Sequence, residues 1–140
     1  MLKEEIFKLL NENPAFHLAT VEGDQPRVRG MLLFRADEDG IIFHTGSTKD
    51  LYEQIMVNPK VELCFQSQGH QIRVSGTLEL VDDEALKEEI VNHPSRKFLQ
   101  SWKDMNIDVD QILRIFRLKN GTAVEWTMAT NFAKKEPISL

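Results

Sequence analysis

One cysteine, Cys64, stands in the whole chain of 140 residues. With no second thiol, neither an internal disulfide nor a cysteine-built zinc site can form within it, and a reducing cytoplasm is the expected compartment. No run of about 18 apolar residues occurs, so no membrane-spanning helix is expected. The opening Met1-Leu2-Lys3-Glu4-Glu5-Ile6 alternates charge with hydrophobicity, unlike a signal-peptide core. Positive charge is also scarce: 17 Lys and Arg face 22 Asp and Glu, a net charge of −5. A nucleic-acid-binding domain usually carries a clustered basic excess, so nucleic acid is not an expected partner. There is no repeat, no low-complexity block and no Ser/Gly linker. Phosphate-cradling Gly-rich loops, Walker lysines, His-Glu-x-x-His and Gly-x-Ser-x-Gly are all missing. His17, His44, His70 and His93 fall on separate elements without i, i+4 pairing, and no metal site is expected from them.

Apolar residues make up 41% of the chain, enough for a core in one domain spanning residues 1–140. Leu2, Ile6, Leu9 and Leu10 share a helical face, and Asn13-Pro14 ends that helix, giving an N-terminal helical segment over 1–13. From Phe16 the period becomes two. A strand to Val21 is followed by the turn residues Glu22 to Pro26 and a second strand from Arg27 to Ala36. After Asp37-Glu38-Asp39-Gly40 a third strand runs from Ile41 to Thr45. A helix ends at Asn58-Pro59; Val61 to Phe65 and Ile72 to Leu80 form a hairpin, with Gly76 at a bend. Asp82 is expected to cap a charged helix through Asn92, and Pro94-Ser95 to restart helix as far as about Lys103. Ile112–Leu118 and Thr122–Met128, joined by Asn120-Gly121, are expected to pair as a hairpin. Residues 129–140 lose the pattern and read as a tail. About seven antiparallel strands with peripheral helices are too many for one flat exposed sheet at this length. The expected fold is mainly β, a closed or partly closed barrel.

Two features carry chemistry. Arg27 and Arg29 lie two apart on a strand, so both guanidinium groups project from one face, about 7 Å apart along it. Ser47-Thr48-Lys49-Asp50 sits where a strand passes into a helix, offering hydroxyls, a cation and unpaired backbone N–H groups to an anion. The plainer possibility is that Ser47 with Asp50 only caps the helix. Cys64 reads as core, and Glu84, Glu88 and Glu89 as a solvated helix face.

Taken with Phe16-His17-Leu18-Ala19-Thr20-Val21, Pro26-Arg27-Val28-Arg29-Gly30, Phe43-His44-Thr45-Gly46-Ser47-Thr48-Lys49, Asn58-Pro59-Lys60-Val61 and Gln71-Ile72-Arg73-Val74-Ser75-Gly76, these features resemble the pyridoxamine 5′-phosphate oxidase-like split-barrel flavoproteins. The order and spacing of the motifs carry the resemblance over nearly the whole chain. It implies an FMN-binding split β-barrel and a homodimer with FMN at the interface. Carried over by position, Arg27, Thr48 and Lys49 would hold the FMN phosphate, with Ser47 as a hydroxyl partner. Arg29 and the backbone of Val28 to Gly30 would lie near the flavin ring, His44 and Thr45 would touch the ring or ribityl chain, and Gln71 would reach FMN from the neighbouring subunit. The implied activity is FMN-dependent oxidoreduction of a small acceptor, with NAD(P)H as a candidate reductant, in the manner of the short nitroimidazole-resistance and general-stress members. A non-catalytic flavin or haem carrier, or a redox sensor, is the alternative; a structural dimer with a vestigial anion site is the third reading. No side chain is an evident general acid or base, so none is assigned as catalytic. The sequence departs from the full-length oxidases at its C-terminal end, where Trp126 is followed by Thr127-Met128-Ala129 and not by an Arg-Leu stretch. Vitamin B6 oxidation itself is therefore not expected, and Trp126 reads as a barrel or interface anchor.

Overall fold

The computed structural model describes residues 1–140. Helix α1 spans Lys3–Glu12, followed by strands β1 (Ala15–Glu22), β2 (Gln25–Leu32), β3 (Arg35–Asp37) and β4 (Gly40–Gly46). Helix α2 (Asp50–Val57) leads to β5 (Lys60–Ser67) and the long β6 (His70–Val81). Helices α3 (Glu84–Asn92), α4 (Phe98–Asp104) and α5 (Val109–Ile112), with a 3-10 turn at Pro94–Arg96, precede β7 (Leu113–Leu118), β8 (Thr122–Thr127) and β9 (Ile138–Ser139).

All nine strands pair antiparallel, in the order β2-β1-β5-β6-β7-β4-β3, with β8 against β6 and β9 against β8. The sheet wraps around one apolar centre. Phe16 stacks on Phe65 at 4.7 Å and meets Phe43 edge-on at 5.5 Å, inside a cluster that also takes Ile6 and Leu10 from α1 and Leu51 and Ile55 from α2. A second cluster, Ile42, Ile115, Leu86, Ile90 and Leu99, packs α3 and α4 on the outer side of β4 and β7.

The barrel is split where strands change partners. Residues 70–77 of β6 pair with β5, and residues 78–81 pair with β7. Gly76 lies at that change, where an added Cβ would stand 3.1 Å from the Leu118 side chain.

Four expectations are corrected here. The second strand is not continuous from Arg27 to Ala36. Leu33 N–H donates to Pro14 O at 2.8 Å on one side, and the next residue, Phe34, donates to Ile42 O at 2.8 Å on the other. The chain thus leaves β1 for β4 between two successive amides, and because Leu32, Leu33 and Phe34 are all apolar, alternation hides the break. Asn120-Gly121 is not a hairpin turn either, since β7 and β8 do not pair with each other. Both run antiparallel to β6, β7 along 78–81 and β8 along 70–75, so the dipeptide carries the chain from one stretch of β6 to the next. The residues expected as a tail return as β9, which pairs with β8 at Thr122 and Ala123. The third helix is capped by Asp83 and not Asp82: the Asp83 carboxylate accepts from Leu86 N–H at 3.1 Å.

Candidate functional site

A cavity of about 480 Å³ opens between the uncovered start of the β1–β2 pair, the end of β4 and helix α4. Gly30, Met31 and Leu32 form one wall, Phe98 and Trp102 another, and His44, Thr45 and Lys49 the end. The local folding reasons are visible. β2 is an edge strand, so its backbone faces outward beside the cavity. β4 ends at Gly46, where Ser47 N–H donates to Ile112 O at 2.8 Å, and this brings Lys49 to the cavity rim.

Of the expected site residues, Gly30, His44, Thr45 and Lys49 converge on this cavity. Ser47 and Thr48 are the next residues along the same β4–α2 connection. Lys49 is the N-cap residue of α2, and no side chain caps that end. The plain capping role of Ser47 and Asp50 is therefore not adopted, and the first amides of α2 keep their capacity to accept an anion.

Arg27 and Arg29 lie near one another on β2 and are held differently. Arg27 is exposed and pairs with Glu22 at 3.0 Å. Arg29 is half-buried: it donates to Thr20 Oγ1 at 2.7 Å, to Leu18 O at 3.3 Å and to Gln54 Oε1. Thr20, itself buried, donates to the same Gln54 oxygen at 2.7 Å. Burial, and then the charge of Arg27, pull Arg29 below the usual guanidinium range. This network ties β1 and β2 to α2, so Arg29 is a strut of the fold, and it is not among the residues that line the cavity. Val28 is 69% exposed on the open edge strand. Gln71 lies apart from the cavity, in a separate recess that it shares with Gln66 and Trp126.

His44 is the most perturbed group. Burial, then Arg96, then Lys49 push its pKa down to about 4, leaving it neutral near pH 7. Its Nε2 accepts from Arg96 Nε at 2.8 Å, while His44 Nδ1 and Thr45 Oγ1 are buried without a protein partner. Buried polar atoms are nearly always satisfied, and His44, whose Nδ1 is not, lines the cavity.

Arg96 is the functional-site residue that sequence reasoning missed. It is 2% exposed, and it donates to Leu33 O at 2.9 Å and Leu32 O at 3.4 Å. Those are the carbonyls freed where β2 crosses to β3. The guanidinium also lies over the Phe34 and Phe98 rings, at 5.2 and 5.9 Å. In sequence it is one arginine beside Lys97 after a proline, which reads as surface; its burial follows from a strand crossing that local patterning does not reveal.

A partly closed antiparallel barrel with a polar-ended cavity beside an edge strand defines a split-barrel class of ligand-binding protein, and comparison with known proteins agrees. The model of the pyridoxamine 5′-phosphate oxidase family matches residues 2–123, and the chain belongs to that family. It is 33% identical over 104 residues to the pyridoxine/pyridoxamine 5′-phosphate oxidase of Rhizobium meliloti (strain 1021), an alignment covering 72% of this chain and 50% of that protein. The chain spans about half the length of the curated relatives it matches. Among solved structures, a NimC/NimA family protein from Clostridium acetobutylicum superposes with a TM-score of 0.76 at 29% identity, covering 98% of this chain and 92% of that one. A pyridoxamine 5′-phosphate oxidase-related, FMN-binding protein from Nostoc punctiforme has the same fold, with a TM-score of 0.66 at 16% identity over 99% and 96% of the two chains. The fold is the split barrel of that FMN-binding family. No helix is long and apolar enough to cross a membrane.

Proposed function

We propose that this chain is an FMN-binding flavoprotein, a cytoplasmic homodimer that acts as an FMN-dependent oxidoreductase on a small acceptor. The observation that carries the reading is the cavity's composition. His44, Thr45 and Lys49 stand at one end of walls made of Met31, Leu32, Phe98 and Trp102, and His44 Nδ1 there has no protein partner. A flat ring with a polar rim and an anionic tail answers all of these needs together.

In this reading Lys49, Thr48 and Arg27 neutralise the phosphate, with Ser47 as a further hydroxyl. Arg27 would exchange Glu22 for the phosphate at small cost, because an exposed ion pair contributes only about 0–1 kcal/mol. The backbone of Val28 to Gly30 offers edge-strand N–H and C=O groups to the ring, and Arg29, fixed by Thr20 and Gln54, keeps further N–H donors for charge that develops there. Phe98 and Trp102 exclude water from the ring's outer side. When bound, FMN supplies hydride acceptance and release. Gln71 reaches the cofactor only from a second copy, and the exposed edge strand β2 suits such a neighbour. Haem ligation through His44 is disfavoured, since its Nε2 lone pair is already engaged by Arg96.

The visible absorption spectrum of the purified protein tests this reading. FMN bands are expected, with bleaching on anaerobic addition of NADPH or NADH. Flavin bands that neither nucleotide bleaches would indicate a carrier, and failure to bind FMN at all would refute the cofactor assignment.

A further inference from the structure

Arg96 has donors only and remains protonated in a folded protein, so its 2.8 Å contact fixes His44 Nε2 as an acceptor. A neutral imidazole that accepts at Nε2 must carry its proton on Nδ1, because the partner of one ring nitrogen sets the state of the other. That Nδ1 is the atom found buried and without a partner, on a residue lining the cavity. Nothing around the ring reverses this polarity. Phe98 packs near-parallel to the imidazole at 6.3 Å, and the charged groups acting on it, Arg96 and Lys49, are both cations. Arg96 itself cannot turn away cheaply: Leu32 O and Leu33 O hold its other end, and the guanidinium lies over the Phe34 and Phe98 rings.

We propose that Arg96 is a positioning residue that locks His44 in its Nδ1–H form, making His44 an obligate hydrogen-bond donor to the ligand of this cavity. The ligand recognised is then one that presents a lone pair, a carbonyl oxygen or an unprotonated ring nitrogen, to the end of β4. A ligand presenting N–H there leaves two donors facing each other in a buried site and binds roughly 5- to 150-fold more weakly. Where that ligand is taken to be FMN, the inference rests on the function proposed above; the lock itself does not.

The test is imidazole ¹H–¹⁵N correlation on histidine-labelled protein near pH 7, for the wild type, Arg96→Lys and Arg96→Met, before and after addition of FMN. The wild type is expected to show His44 protonated at Nδ1. Arg96→Lys, which keeps a donor, is expected to preserve that form, and Arg96→Met to release it toward Nε2–H. An Nε2–H wild type, or an unchanged tautomer in Arg96→Met, overturns the lock. Should Arg96→Met not fold, the wild-type spectrum decides alone, since Nε2–H is incompatible with Arg96 donating to that atom. With FMN, the Nδ1 resonance is expected to move. His44→Leu should lose roughly 5- to 150-fold in FMN affinity, while His44→Asn, with an amide N–H near the Nδ1 position, loses far less. FMN binding that leaves Nδ1 unmoved refutes donation to the ligand and spares the cofactor reading. FMN failing to bind while the Nδ1–H form persists refutes the cofactor reading and supports the lock.

Discussion

Acidification should destabilise this protein through one histidine. The pKa of His44 is about 4 in the fold, against 6.5 for an unperturbed histidine, so the unfolded chain takes up the proton first. Stability from this group is complete above about pH 6.5, falls as pH drops from 6.5 toward 4, and changes little below that. The shift corresponds to about 3 kcal/mol at 1.36 kcal/mol per pKa unit, a large share of the total for a domain of this size. His44→Gln supplies the control, because its amide oxygen can still accept from Arg96 and nothing titrates. Denaturant unfolding from pH 7 to pH 4, run on both proteins, removes the common carboxylate contribution by difference. The wild type should lose about 3 kcal/mol more than the variant over that range. Parallel pH profiles would refute the reasoning and show that the imidazole is not held neutral by its surroundings.

Lys49→Ala should weaken FMN binding by about 1.5–3 kcal/mol, roughly 10- to 150-fold, because it removes one charge-assisted contact; riboflavin affinity should barely change, and calorimetric titration checks both. Gly121→Ala should destabilise by about 1–3 kcal/mol, since its Cβ would stand 2.4 Å from Leu118 Cδ2 and 3.1 Å from Val74 Cγ1; urea unfolding of Gly121→Ala, Leu118→Ala and the double variant should show less-than-additive losses. FMN should suppress dissociation of the homodimer on dilution, and a monomer that still binds FMN stoichiometrically in sedimentation velocity would remove Gln71 from the proposed site.

Much of the barrel was readable from period-two alternation, because strands such as β1 and β5 bury every second side chain against one core. Phe16, Leu18 and Thr20 are buried on β1, as are Val61, Leu63 and Phe65 on β5. What alternation cannot register is a change of partner. Between Leu32 and Phe34 the chain passes from one part of the split barrel to the other, with Leu32 exposed and Leu33 buried, and the consecutive apolar residues look like an uninterrupted strand. Asn120-Gly121 misleads for a related reason: the local backbone preference is real, with Asn120 at φ +59°, but β6 and not the turn decides where β8 pairs. Gly30, His44, Thr45 and Lys49, which the motif order singles out, line one cavity. Arg96 was not legible in the sequence, because a buried arginine is rare and its partners, Leu32 O, Leu33 O and His44, lie more than 50 residues away in sequence.

Side-by-side calorimetric titration of the protein with FMN and with riboflavin tests the central claim most directly, because the two ligands share the ring and differ at the phosphate. The account predicts binding of both, with FMN at least 10-fold tighter, about 1.4 kcal/mol or more. Equal affinities would contradict a phosphate seat at Lys49, Thr48 and Arg27.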